Sequence, residues 1–218
     1  MARQRLAPEV RRRQVLDAAV AVFAEQGFHG ASMADVAARA GVSKPSVYAH
    51  GGSKEELFTA CLRQEAERLM RSMGTAVAEA GPDPQVRLWL GLRAFFHALT
   101  TSRQGWTVLY RQAATGAFAA EVDERRRGIV AAAGALLAQD LEVDPDVVAP
   151  FAHTLVGAAE GLADWWLAGE RPDDVTADVL ARMVMTVAWP GLDALRGGRV
   201  WEPPIAPSTP LSDDDETG

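Results

Sequence analysis

Lys44, Pro45, Ser46 and Tyr48 stand close together, and a second lysine follows at Lys54. The chemistry these side chains share is recognition of anions and of base edges. Ammonium and hydroxyl groups both serve phosphate oxygens, and a helix N-terminus adds backbone N–H donors. Tyr48, two residues after Ser46, can reach a phosphate or a thymine methyl. Lys54 falls in the first turn of an expected helix, where a cation opposes the helix dipole. A charge set against its own helix points to an anionic partner elsewhere.

Catalytic and metal chemistry find less to work with. His29, His50, His97 and His153 are scattered, and none has a histidine four residues on, so the zinc-protease helix pattern is missing. Gly41-Val42-Ser43-Lys44-Pro45 lacks the closing glycine of a nucleophile elbow and follows no strand. His50-Gly51-Gly52 resembles an oxyanion loop only superficially, and neither common phosphate-binding loop occurs. The single cysteine, Cys61, excludes an intramolecular disulfide and reads as packing on an apolar helix face rather than as a redox sensor. The expectation is a non-enzyme with no cofactor and no metal.

The elements that must position these residues read as helices throughout, because almost no segment alternates apolar and polar with period two. A first helix is expected over Pro8–Gln26, with Gly27 as its cap and Val15, Ala19, Val22 and Phe23 as one apolar stripe. A short helix over Met33–Arg39 starts at Ser32, with Asp35 completing a capping box. Ala40-Gly41-Val42 is a turn, and Ser43 caps a helix over Lys44–Ala49. Ser53 and Glu56 then open a long helix to about Glu79. Further helices are expected over Asp83–Thr101, Gln104–Thr115, Ala119–Gln139, Asp144–Gly169 and from Asp174 onward, with Pro150 kinking one or shifting its start. The all-α fold thus divides into a flexible basic arm (1–10), a three-helix head (11–55), a helical body (56–201) and an acidic tail (202–218) expected to be disordered.

Net charge is −7, which taken as a total opposes a nucleic-acid partner. The distribution of that charge favours one. Residues 1–58 hold eight basic and six acidic groups, for +2, and the remainder holds 14 basic and 23 acidic groups, for −9. An acidic body with a mildly basic end offers only that end to a phosphate backbone. The longest apolar run, Ile129 to Ala138, is too short to span a membrane. With one cysteine and no apolar stretch before Pro8, a reducing cytoplasm is expected.

Two short helices joined by a glycine-containing turn form a helix-turn-helix pattern. A recognition helix lays its N-terminal residues against base edges, and Lys44, Pro45 and Ser46 occupy that end. The run from Ala31 to Phe58 (ASMADVAARAGVSKPSVYAHGGSKEELF), with Val15-Leu16-Asp17-Ala18-Ala19 and Phe23 to Phe28 upstream, resembles the DNA-binding region of the tetracycline-repressor (TetR) family. The resemblance covers about residues 11–58. It implies that Ser32, Ser46, Tyr48, His50 and Lys54 touch phosphates and that Lys44, Pro45 and Ser46 face bases. Gly51-Gly52 stands where the family usually carries an aromatic, and its absence should loosen the packing of the third helix on the fourth.

The body carries a heptad-like seam of Phe151, Leu155, Ala158, Leu162 and Trp165, and a second stripe of Val179, Met183 and Val187. The resemblance favours their forming a homodimer interface over their packing into the chain's own core. Phe96, Trp106 and Tyr110 face small residues such as Gly157 and Gly161 in sequence, with Thr154 as a polar group; these six are the expected effector pocket. What the resemblance implies is a dimeric regulator, most often a repressor, bound to a pseudo-palindromic double-stranded DNA operator. A small hydrophobic or aromatic effector of unspecified identity would release it. Activation in place of repression stays open. The alternative is a helical binding or sequestering protein with an impaired head.

Overall fold

The computed structural model describes residues 7–108, 118–142, 144–169 and 174–199. Residues 1–6 of the expected arm, the acidic tail and most of the Gln104–Thr115 helix lie outside the described residues; the last three residues assigned to the arm, 8–10, instead open the first helix. Every element within them is helical: α1 (Pro8–Gly30), α2 (Met33–Ala40), α3 (Lys44–Gly51), α4 (Lys54–Glu79), α5 (Pro84–Thr101), α6 (Arg103–Trp106), α7 (Ala119–Leu141), α8 (Pro145–Ala168) and α9 (Ala177–Arg196).

Local chemistry accounts for most boundaries. α1 breaks at Gly27 but adds one more turn to Gly30, so the expected cap is a kink. Ser32 Oγ accepts from the Asp35 N–H at 3.2 Å, and the Asp35 carboxylate accepts from the Ser32 N–H at 3.0 Å. Gly41, at φ 63°, takes the left-handed conformation that lets α2 end and α3 begin within three residues. Ser43 precedes α3 but makes no capping side-chain bond, unlike Ser53, whose box with Glu56 opens α4. Pro150 sits inside α8 without displacing its start at Pro145.

The head closes around Val15, Ala19, Val22 and Phe23 of α1, packed with Val36, Val47, Leu57 and Phe58. Cys61 belongs to the same core; burial pushes its thiol up, away from the reactive thiolate. At the α3–α4 junction the expected loosening meets a different arrangement. A Cβ at Gly51 would lie 2.8 Å from Leu57 Cδ1, so the fully buried Leu57 fills the space against bare backbone. Gly52 holds φ 70° and ψ −143°, and a Cβ there would strike the Glu56 carboxylate of the capping box.

In the body α5, α7, α8 and α9 pack on one another, and the second half of α4 lies against α5. Partly buried ion pairs tie its layers: Arg87 to Asp140 at 2.7 Å joins α5 to α7, and Arg126 to Glu160 at 2.8 Å joins α7 to α8. Trp106 Nε1 donates to Asp164 at 2.9 Å, tying α6 to α8. Arg93 and His97 of α5 both donate to Asp178 of α9, at 2.8 and 2.7 Å, and hold its carboxyl below the ordinary value.

Two outcomes follow. Gly52→Ala should lower stability by about 1–3 kcal/mol, read by thermal unfolding, because an L residue is strained at that backbone angle. The depressed Asp178 carboxyl contributes stability that is present above the unfolded carboxylate value and lost as pH falls through the folded one. Asp178→Asn should therefore be less stable than the parent at neutral pH, and the gap should close on acidification.

Candidate DNA-binding face and effector cavity

Val47 is fully buried and fixes the roll of α3 against α1 and α2. That roll leaves Lys44, Pro45 and Tyr48 exposed, with Ser46 and His50 half-buried at their edges. Ser32, at the start of α2, is exposed too. Arg39 is engaged in an ion pair with Glu25 across α1. Gln14 Nε2 donates to the Ala40 carbonyl at 2.7 Å, locking the end of α2 onto α1. The sequence offered no signal for that clamp, since the two residues lie far apart in the chain.

Lys54 sits differently from the expectation of a cation opposed by its own helix. Its Nζ donates to the His29 carbonyl at 3.3 Å and lies 4.8 Å from the centre of the Phe28 ring. The C-terminal end of α1 and an aromatic face both favour a cation. Lys54 is therefore positioned by the head, beside Ser53 and the end of α3.

In the body an apolar cavity of about 400 Å³ lies among α4, α5, α7 and α8. Leu69, Met73, Val77, Leu92, Leu137 and Phe95 supply much of its wall. Among the described residues, its charged side chains are Arg87, Asp140 and Glu160. Of the six sequence-expected pocket residues, the five that are described, Phe96, Trp106, Thr154, Gly157 and Gly161, do not line it. Phe96 is buried beside Phe95, and Trp106 borders a separate cavity of about 350 Å³ next to Glu65 and Ser102. Thr154 and Gly161 face outward from α8, Gly157 lies near Arg126, and Tyr110 falls outside the described residues. The readable signal was the four-residue spacing of Leu69, Met73 and Val77, which continues past what the head core needs.

The outer face of α8 and α9 exposes Trp165 (42%), Met183 (47%) and Val187 (81%). Phe151, Leu162 and Val179 are half-buried beside them. Leu155 is a correction: it is 8% exposed and lines the cavity, so it does not belong to an outward seam. The exposed stripe of α8 runs instead through Thr154, Ala158, Gly161 and Trp165.

A cationic recognition helix on a helical body with an internal cavity defines a helix-turn-helix transcriptional regulator. Residues 15–61 match the family model described as bacterial regulatory proteins, tetR family, and residues 84–189 match the tetracyclin repressor-like C-terminal domain. The HTH-type transcriptional activator FasR of Mycolicibacterium smegmatis is 32% identical, over 86% of this chain and 85% of its own. A TetR-like transcriptional regulator from Rhodococcus sp. RHA1 superposes with a TM-score of 0.72 at 36% identity, over 87% of this chain and 99% of its own. The regulator FadR from Bacillus subtilis, solved with stearoyl-CoA, shares the fold at a TM-score of 0.66 and 18% identity, over 86% of this chain and 99% of its own. The chain belongs to the TetR family of bacterial regulatory proteins.

The two lysines should separate by assay. Lys44→Ala should relax base preference by about 1–3 kcal/mol at one operator position. Lys54→Ala should weaken all duplexes alike and reduce the salt slope by about one unit. An unchanged salt slope in the Lys54 variant would remove its phosphate role.

Proposed function

We propose that the chain acts as a homodimer on a pseudo-palindromic operator, with Ser32, Ser46, Tyr48, His50 and Lys54 on phosphates and Lys44, Pro45 and Ser46 toward bases. The exposed apolar residues of α8 and α9 support the dimer, because four helices from two copies can bury them together. Two-fold symmetry then calls for half-sites about one helical turn, or a multiple, apart.

The effector is an acyl compound held in the α4–α5–α7–α8 cavity. The observation that carries this reading is the cavity wall, which is aliphatic along its length, with Phe95 and Trp189 its aromatic members. An alkyl chain suits that wall better than a planar aromatic molecule. The shared fold of the stearoyl-CoA-bound FadR is consistent with it. α4 touches both the cavity and the head core, so a ligand that prefers one setting of α4 shifts the spacing of the two recognition helices. A coupling of about 1–3 kcal/mol is enough for such a switch. Repression is the first reading, and the FasR relative is named an activator, so activation from the same site is the second.

A sequestering protein with an impaired head was the rival reading, and it rested on Gly51. Leu57 packed against Gly51 takes away that support.

Selection of duplexes from a random pool, with affinity measured at two salt concentrations, tests the proposal. The expected result is a palindromic winner with a steep salt slope, whose complex is dissociated or tightened by long-chain acyl-CoA. Weak binding without sequence preference would overturn it.

A further inference from the structure

Three polar side chains border the cavity, and their hydrogen bonding is incomplete in a specific way. Arg87 Nη1 donates to Asp140 at 2.7 Å, but its buried Nε has no hydrogen-bond partner among the described residues. At the other end Glu160 Oε2 accepts from Arg126, and its buried Oε1 likewise has no partner among them. A buried donor left unmade is costly. The two vacancies are chemically opposite: Arg87 offers a hydrogen, and ionised Glu160 can only accept one.

An acyl carbonyl is an acceptor, so of these two ends only Arg87 can receive it. Arg87 stands in the first turn of α5 and Asp140 in the last turn of α7. The cavity reaches Pro84 and Trp189 there, and both residues also line a shallow open depression with Gln85, Asp193 and Arg196. A bulky group beyond the carbonyl can leave the cavity by that route. From this end the wall runs along α7 to Ile129, about 18 Å of helix. An acyl chain of a dozen or so carbons fits that length.

Asp140 adds a filter. Its carboxylate already neutralises Arg87, so this end of the cavity carries no uncommitted positive charge. A free carboxylate there would face Asp140 with like charge, whereas a neutral carbonyl would not. We propose that Arg87 Nε donates to the carbonyl of a neutral acyl derivative, a thioester or ester, whose chain points toward Glu160, and that Asp140 disfavours the free acid. This rests on the acyl reading above and deepens it.

Titration calorimetry of the full chain with dodecanoyl-CoA, methyl dodecanoate and dodecanoate tests the proposal, with coenzyme A alone as control. The methyl ester carries the neutral carbonyl without the nucleotide, so it separates carbonyl recognition from nucleotide contacts. In the parent protein ester and thioester should bind about tenfold more tightly than the acid. Arg87→Lys keeps a cation for Asp140 but removes the guanidinium Nε–H; it should weaken ester and thioester about tenfold and bring them near the acid. Asp140→Asn should raise affinity for dodecanoate and shrink or invert the ester-to-acid ratio. A structural role alone would weaken all three ligands together.

Parent-like ester binding by Arg87→Lys would overturn the anchor and leave the acyl reading standing. An ester-to-acid ratio unchanged by Asp140→Asn would overturn the filter. No binding of any of the three to the parent protein would remove the acyl reading and the anchor with it.

Discussion

α4 has to belong to two cores at once. Its 26 residues make a rod of about 39 Å. Leu57, Phe58, Cys61 and Leu62 near its start are sealed in the head, and Leu69, Met73 and Val77 further on face the cavity. Between them sits Glu65, a carboxylate only 3% exposed. A buried charge is tolerable only when fully partnered, and removing one partner from such a site typically costs about 3–5 kcal/mol. Arg68 donates to one oxygen at 2.9 Å and Ser102 to the other at 2.6 Å. Arg68 also holds Asp17 of α1 at 2.6 Å. The partners of this single carboxylate therefore come from the rod itself and the end of α5, with α1 joined through Arg68. Any shift of the rod there has to carry Arg68 and Ser102 with it to keep the charge paired.

A second junction is apolar. Phe118, just before α7, packs 4.8 Å from Phe28 and 4.5 Å from Phe58, ring centre to ring centre. Val108 and Val122 join the same cluster. The body thus enters the head core at the start of α7, while the far end of α7 carries Asp140 and the cavity. Head and cavity are bridged by two helices, one steered by charge and one by ring packing.

Much of this was legible in the sequence. Helix starts at Ser32 and Ser53 followed from capping boxes, because the two partners are three residues apart and the bond is local. The head core followed from the 3.6-residue stripe of α1. The cavity did not. Aromatic residues drew attention to Phe96 and Trp106, yet large rings fill space and make core, while aliphatic walls of ordinary composition leave the opening. Leu155 was misplaced because a heptad stripe marks an apolar face without saying which of two apolar environments it meets. The Gly51 position misled for a related reason. Sequence shows a missing side chain, whereas only packing shows that Leu57 lies against the bare backbone there.

α8 is a partition one helix thick. Leu155, Val156 and Ala159 look inward to the cavity, while Thr154, Ala158 and Gly161 look outward from the same turns. No intervening layer absorbs a change on either side. Swelling of the chamber would appear on the outer surface as displaced bearing points, and pressure from outside would narrow the chamber in return. Substitutions along this wall should then be poor candidates for tuning one property alone, because storage volume and exterior shape share the same backbone.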